Sequence, residues 1–501
     1  METWKLIIIY CYFGLMALLS VYGIHRYYLV YLFYKHKKNR PVSSRHFSSL
    51  PKITVQLPVF NEACVINRLI NAVCKIDYPR DRLAVQVLDD STDETAILAE
   101  SLVREKKAQG FEIEYIHRKD REGYKAGALK EGLARVDSEY VAIFDADFVP
   151  SPDIFRDIIH YFTDEEVGMV QVRWGHINRG YSLLTRLQAI LLDGHFVIEH
   201  AARNRSGRFF NFNGTAGIWR RRCIEEAGGW QSNTLTEDLD LSYRAQIKGW
   251  KFIFENNVVA PAELPIEMSA FKSQQHRWAK GSIQTARKIL KAIWISRVPF
   301  KVKMEATFHL TSNVAYTLML IVSVLMLPAL LIRIHDPSFA RALIFDISVF
   351  MAATTSVLAF YATSQREIYP DWKRQLLCFP LLLSLGIGLT VNNARAVLEA
   401  LFGKDVTFIR TPKYNAPSLK EKGRLLKRYS GPRDLWAFFE ILLGLYYIIV
   451  SWTAFSNGNY IPGFFLSLFM IGFLWVGISS LLPSHADIRQ PQKKLVYPPL
   501  S

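Results

Sequence analysis

The sequence predicts an α/β domain with a mostly parallel sheet, inserted between transmembrane helices. Three observations predict it. Apolar stretches of about twenty residues flank a central region, and such lengths suit a bilayer-spanning helix. Within that region, short β-rich runs alternate with helical runs, the pattern of a parallel sheet covered on both faces. Acidic and glycine residues fall directly after the strands, where sheets of this kind bind ligands.

The bulk figures agree with a mixed architecture. Of 501 residues, 50% are hydrophobic, yet 21% are charged, more than a wholly membrane-buried chain carries. The formal net charge of +16 suits anionic lipid headgroups or a phosphate-bearing substrate. Nucleic acid is set aside, because no recognised nucleic-acid module is present and much of the basic excess flanks apolar segments. Five cysteines, an odd count with no C-x-x-C pair, argue against a disulfide framework or a structural zinc site. Reduced thiols of a cytosolic compartment fit.

The first apolar segment, residues 6–24 with an aromatic extension to 34, is too long and too aromatic for a signal-peptide core. Lys35, Lys37, Lys38 and Arg40 follow it and place the next domain in the cytosol. Residues 1–40 are thus an N-terminal transmembrane helix with a basic flank, and 51–298 the cytosolic domain. Strands are expected at 53–60, 83–88, 111–117 and 140–144, with helices at 93–109 and 126–136. The 181–202 helix has a broad apolar face that suits core packing or a place at the membrane surface.

The composition turns apolar again over 299–483, with candidate spans at 306–332, 343–362, 376–401, 436–455 and 461–482. Five crossings would put the basic loop 404–433 outside, against the positive-inside rule. The 376–401 segment carries Asn392, Asn393 and Arg395, which lipid-facing helices avoid. It is read as interfacial or re-entrant, leaving four spans after the domain and a tail at 484–501.

Four motifs carry chemistry. Asp89 and Asp90 end the second strand, where they can bind a nucleobase N–H or ribose hydroxyl, or cap the helix that follows. Asp145 and Asp147, spaced by one residue after a buried strand, offer hard oxygen ligands to a divalent metal, magnesium or manganese. A lone D-x-D recurs by chance; its place at a strand end gives it weight. Thr236-Glu237-Asp238 heads a helical run, so Thr236 can cap it while Asp238 serves as a general base. Gln274, Arg277 and Trp278 share a helix: Arg277 suits a diphosphate, and Trp278 presents an apolar face to a sugar ring. Lys125, at a helix start, can add a phosphate contact. His195, His200 and His276 have no metal-ligand company and read as structural.

These motifs, in this order, resemble glycosyltransferase family 2, and within it the cellulose synthase-like branch with its mannan and glucan synthases. The resemblance runs from residue 51 to about 413 and implies the Rossmann-like GT-A fold. It implies that Asp89, Asp90, Lys125, Asp145 and Arg277 bind the donor nucleotide, that Asp145 and Asp147 hold the metal, and that Asp238 is the catalytic base. It further implies acceptor contacts from Trp278, Gln274 and Glu237, and from the segment Phe212-Asn213-Gly214-Thr215. Phe408, Thr411 and Lys413 resemble the gating loop of processive synthases, with Arg410 where cellulose synthases usually have valine. The implied activity is inverting hexosyl transfer from UDP-glucose or GDP-mannose to a growing β-glycan, in a multi-pass protein of a plasma, inner or Golgi membrane. Transfer of one sugar to a membrane lipid, as in ceramide glucosyltransferases, is the alternative. A non-catalytic transporter or scaffold is disfavoured by the intact acids. Accessory subunits are left open.

Overall fold

The computed structural model describes residues 3–43, 45–336, 342–403, 410–411, 413–415 and 435–482, and no side chain of 342–347. Seven strands form one sheet: β1 Ile53–Val59, β2 Leu83–Asp89, β3 Glu112–His117, β4 Tyr140–Ile143, β5 Val167–His176, β6 Gly217–Arg220 and β7 Lys251–Ala262. Their spatial order is β3-β2-β1-β4-β6-β5-β7. The pairs β1–β2, β1–β4, β2–β3 and β5–β7 are parallel; β6 runs antiparallel to both neighbours. The mostly parallel sheet expected from the sequence is present. Its first four strands fall within a residue or two of expectation. Strands β5, β6 and β7 were not anticipated.

Both faces of the sheet are covered, which explains why β1, β2 and β4 are apolar along almost their whole length. On one face, Leu69 and Ile70 of the Ile66–Val73 helix and Val103 of the Thr95–Ala108 helix pack over Val55, Leu57 and Val85. On the other, Leu129 and Leu133 of the Tyr124–Ala134 helix share a core with Phe196, Val197 and Ile198. The 181–202 region therefore belongs to the core, the first of its two expected readings. Its helix begins at Leu183 with a capping box between Ser182 and Thr185, then widens into a π-helical turn at Gly194–His200.

Five of the described helices are long and apolar enough to cross a membrane: Thr3–Lys35, Val314–His335, Ala437–Ser456, Tyr460–Leu481 and the stretch Trp372–Phe402. This last stretch differs from the sequence expectation, which set 376–401 apart. After a short helix, Trp372–Gln375, and a 3-10 turn, it consists of two longer helices, Phe379–Gly388 and Thr390–Phe402, joined at Leu389. Asn392 and Asn393 are buried in protein, and Asn392 Nδ2 donates to the Lys272 carbonyl at 3.0 Å. The expected span at 343–362 lies in a continuous helix, Ala342–Ile368, packed along the N-terminal helix. A Cβ on Gly23 would lie 2.9 Å from Ala353 Cβ, so glycine permits this approach.

The expected span from 306 starts later, at Val314. Residues 300–311 form a separate helix because Glu305 is committed to a buried polar cluster. Arg203 Nε donates to Glu305 Oε1 at 3.0 Å, and His25 Nε2 lies 3.0 Å from Glu305 Oε2. The cluster ties the N-terminal helix, the sheet domain and the 300–311 helix together. Removing one member of a buried ion pair costs about 3–5 kcal/mol, whereas exposed pairs contribute about 1 kcal/mol or less. Glu305→Ala is therefore expected to lower the unfolding temperature of the detergent-solubilised protein clearly. Arg104→Ala, which breaks an exposed pair with Glu100, should leave it nearly unchanged.

Candidate active site

One cavity opens at the carboxyl ends of β1, β2 and β4, with about 1310 Å³ of space including its open mouth. Strand ends, a loop pair and the Met268–Ile295 helix all contribute to its wall.

The acids at the end of β2 divide in two. Asp89 is fully buried and does not line the cavity. It accepts from Ser91 N at 3.0 Å and Tyr115 OH at 2.7 Å, with His117 Nδ1 at 3.1 Å, and so shapes the turn. Asp90 lines the cavity, held bidentately by Arg118 at 2.5 and 2.6 Å. Of the two expected donor contacts, only Asp90 reaches the site directly.

Asp145 and Asp147, just beyond β4, both face the cavity. Lys125 Nζ donates to Asp145 Oδ1 at 2.5 Å and to the Gly214 carbonyl at 2.9 Å. Burial would lower the Lys125 pKa, but Asp145 and Glu237 outweigh it and the net shift is upward. Asp147 Oδ2 accepts from Lys413 Nζ at 2.6 Å. As a metal site the pair is chemically apt: two hard oxygen donors at one strand end. Among the described residues no cluster of three acid, histidine or cysteine side chains could complete a coordination sphere. A cation here would draw its remaining ligands from substrate and water.

Asp238 sits in the first turn of the Glu237–Ile247 helix. Its Oδ1 accepts from Leu239 N at 2.8 Å. Burial, reinforced by the neighbouring Glu237, raises its pKa above the ordinary carboxylate range. Thr236 does not cap the helix through its side chain, contrary to one sequence reading. Its hydroxyl instead meets that of Thr285 at 3.2 Å, on the helix that carries Gln274, Arg277 and Trp278. A Cβ on Gly281 of that helix would fall 2.5 Å from Thr236 Cγ2, so only glycine allows this contact. Gln284 Oε1 also accepts from Leu235 N at 2.9 Å. Glu237, Asp238, Gln274, Arg277 and Trp278 consequently line the same cavity. Burial lowers the Arg277 pKa, opposed by the field of Glu237 and Asp145. His276 is structural, as expected: its Nε2 lies 3.1 Å from Glu399.

Within the expected acceptor segment, Asn213 and Gly214 line the cavity, while Phe212 and Thr215 are buried behind it. The Phe212 ring packs edge-on to Trp219, and Thr215 Oγ1 accepts from Asp145 N at 2.9 Å. Gly214 has φ +82°, and a Cβ there would sit 3.0 Å from Asp238 Oδ2. The absence of a side chain keeps the Asp238 carboxylate open to the cavity.

Of the gating-type residues, Thr411 and Lys413 line the cavity; Phe408 lies outside the described residues. Arg410 grips Glu62 bidentately at 2.6 and 2.9 Å. Burial pushes Glu62 up to about 7, against the opposing pull of Arg410. Lys413 also meets the Glu263 carbonyl, and Glu263 Oε1 accepts from Tyr414 N at 2.9 Å.

Several lining residues were missed from sequence: Phe60, Glu62, Arg121, Trp174 and His176. Arg121 stacks over the Phe60 ring at 3.3 Å. Phe60 and Glu62 directly follow β1, so the strand-end rule applied there would have found them.

Residues 51–281 match the sequence model of the family described as "Glycosyltransferase like family 2". Glucomannan 4-beta-mannosyltransferase 1 of Oryza sativa subsp. japonica is 45% identical over 251 residues, 49% of this chain and 48% of the relative. Glucomannan 4-beta-mannosyltransferase 2 of Arabidopsis thaliana is 45% identical, over 47% of its length, so the chain spans about half of both. Probable glucomannan 4-beta-mannosyltransferase 3 of Oryza sativa subsp. japonica is 34% identical over 446 residues, covering 85% of this chain and 78% of that one. Among solved structures, mannosyltransferase PcManGT from Pyrobaculum calidifontis in complex with GDP-Man and Mn2+ is 20% identical, with 78% of this chain and 100% of that chain covered and a TM-score of 0.49. With 34% identity sustained over most of a full-length relative and the catalytic motifs gathered around one cavity, the chain belongs to glycosyltransferase-like family 2, beside the plant mannosyltransferases of the cellulose synthase-like branch.

Proposed function

We propose that this chain is a membrane-bound, inverting hexosyltransferase that extends a β-linked polysaccharide from a nucleotide sugar at the cytosolic face of the membrane. One observation carries the reading: a buried carboxylate with a raised pKa, a strand-end acid pair and an Arg–Trp helix share one cavity. Mannose from GDP-mannose is the favoured donor, because the relatives named above are glucomannan mannosyltransferases. UDP-glucose is the second donor to test. Single-sugar transfer to a lipid has no counterpart among those relatives. The basic flank at Lys35, Lys37, Lys38 and Arg40 supports a cytosolic catalytic domain. The plasma, inner or Golgi membrane fits equally.

Roles follow from position. Phe60, Asp90 and Arg121 form the wall that receives the nucleoside. Lys125 and Arg277 bring positive charge to the phosphates. Asp145 and Asp147 would hold a magnesium or manganese ion, which when bound supplies charge neutralisation for the departing diphosphate. Trp278 offers the acceptor sugar an apolar platform. Asp238 takes the proton of the acceptor hydroxyl, whose oxygen forms the new bond to the anomeric carbon as the bond to the diphosphate breaks. A single displacement of this kind turns an α-linked donor into a β-linked product. Arg410, Thr411 and Lys413, on the cavity wall, serve as part of a loop that closes over the nucleotide.

Four outcomes test this. Asp238→Asn should lower kcat with GDP-mannose about a thousandfold while donor binding, followed by calorimetry, persists. A base must be ionised to accept a proton, so activity is present above its pKa and lost as pH falls through it. With Asp238 raised, the acid limb of kcat/KM should lie above the ordinary aspartate value of about 3.9, and a limb at or below that value would overturn the assignment. Gly214→Ala should reduce kcat about a hundredfold, because the added methyl group displaces the Asp238 carboxylate, and should also lower the unfolding temperature somewhat, because φ +82° strains an alanine. Chelation with EDTA should abolish product formation, and added manganese or magnesium should restore it in the wild type but not in Asp147→Ala.

A further inference from the structure

The π-helical turn Gly194–His200 has no part in the chemistry above. Turns of this kind are rare and recur at functional positions. This one sets two histidines against the side-chain amide of Asn213. His195 Nδ1 donates to Glu199 Oε2 at 2.9 Å, which leaves its Nε2 to accept from Asn213 Nδ2 at 3.0 Å. On the other side, His200 Nε2 donates to Asn213 Oδ1 at 2.5 Å. Burial holds the His200 pKa well below its ordinary range, so the ring carries one proton, and that proton faces Asn213. Against the opposing effect of burial, the charge of Arg203 and the hydrogen bond from His195 keep Glu199 well below the usual carboxylate range, and a carboxylate can only accept. The backbone N–H of Asn213 is fixed separately, on Gln171 Oε1 at 3.0 Å.

Every hydrogen bond in this chain points the same way, from His200 through Asn213 and His195 to Glu199. Turning the amide over would set its oxygen against the bare nitrogen of His195 and its N–H against the N–H of His200. The orientation of Asn213 is thereby determined by residues outside the cavity. An amide nitrogen carries two hydrogens, and His195 uses one. The second belongs to a residue that lines the cavity, one position before Gly214 and its close approach to Asp238.

We infer that His195 and Glu199 are positioning residues for the acceptor: they hold Asn213 so that it offers an N–H, not a carbonyl, to an oxygen of the acceptor sugar next to the hydroxyl that Asp238 deprotonates. The inference rests on the reading of Asp238 as the base. The ligand group is a hexose hydroxyl or ring oxygen that accepts a hydrogen bond. His195 does not touch it and acts through Asn213.

The test uses the full-length protein in detergent, GDP-mannose as donor and β-1,4-mannotetraose as acceptor. Steady-state kinetics give the acceptor KM, the donor KM and kcat for His195→Leu, His195→Gln and Asn213→Asp. Losing one oriented hydrogen bond should raise the acceptor KM about tenfold in His195→Leu, with the donor KM unchanged. His195→Gln should recover most of that loss, since its carbonyl oxygen can accept from Asn213. Asn213→Asp, which puts oxygen in place of the N–H, should raise the acceptor KM at least as much as His195→Leu. Should His195→Leu fail to fold, the other two variants decide. An active wild type whose acceptor KM is unmoved in Asn213→Asp, or whose donor and acceptor KM rise together in the variants, overturns the inference alone. A wild type that turns over neither GDP-mannose nor UDP-glucose overturns the catalytic reading and this inference with it.

Discussion

The contact between Gly281 and Thr236 governs how the site is assembled. The Glu237–Ile247 and Met268–Ile295 helices approach so closely that a single methyl group at Gly281 would strike Thr236 at 2.5 Å. That approach sets the carboxylate of Asp238 and the side chains of Arg277 and Trp278 around one space. Hydrogen bonds from Leu235 to Gln284 and between Thr236 and Thr285 secure the same seam. Interiors are close-packed, so such a seam has little slack. The placement of Asp238 against Arg277 and Trp278 is thus a product of helix packing, whereas Asp90, Asp145, Asp147 and Lys413 reach the cavity from strand ends and loops.

Charge is the second organising feature. A buried ionised group is costly unless paired, and here nearly every acid around the cavity has its own cation. Asp90 has Arg118, Asp145 has Lys125, Asp147 has Lys413 and Glu62 has Arg410. Glu237 and Asp238 stand side by side, and both are pushed toward their neutral forms. A carboxylate in that state is reluctant to ionise but a stronger base once it has, which is what deprotonating a hydroxyl requires.

Much of this was legible in the residues, and the illegible parts have physical reasons. Strands β1, β2 and β4 are buried on both faces and read as mostly apolar runs. β6 has only four residues, and β7 carries Glu255, Asn256 and Asn257 in its middle, so neither shows a clean period. Asp89 and Asp90 are chemically identical in sequence, but strand alternation sends one inward and the other to the cavity. The split between 300–311 and Val314 depended on a partner for Glu305 more than a hundred residues away, Arg203, which no local pattern reveals. The π-helical turn is a matter of one extra residue per turn, invisible to hydrophobic spacing. Asp145, Asp147 and Asp238 were readable because their motifs sit at a strand end and a helix start, where side-chain direction is constrained, and Arg277 and Trp278 because of their residue types on one helix.

The break at Leu389 joins two kinds of packing. On its near side, the Phe379–Gly388 helix lies so close to Tyr460–Leu481 that a Cβ on Gly388 would meet the Gly472 carbonyl at 2.4 Å. On its far side, Glu399 of the Thr390–Phe402 helix binds His276 and Lys280, the residues that bracket Arg277 and Trp278. Two constraints thus meet at one residue: close packing against a helix long enough to span lipid, and ion pairs to the helix that carries Arg277 and Trp278. Tilting a spanning helix costs little, so the ion pairs, and not the apolar contact, are what fix the Thr390–Phe402 helix against the cavity wall.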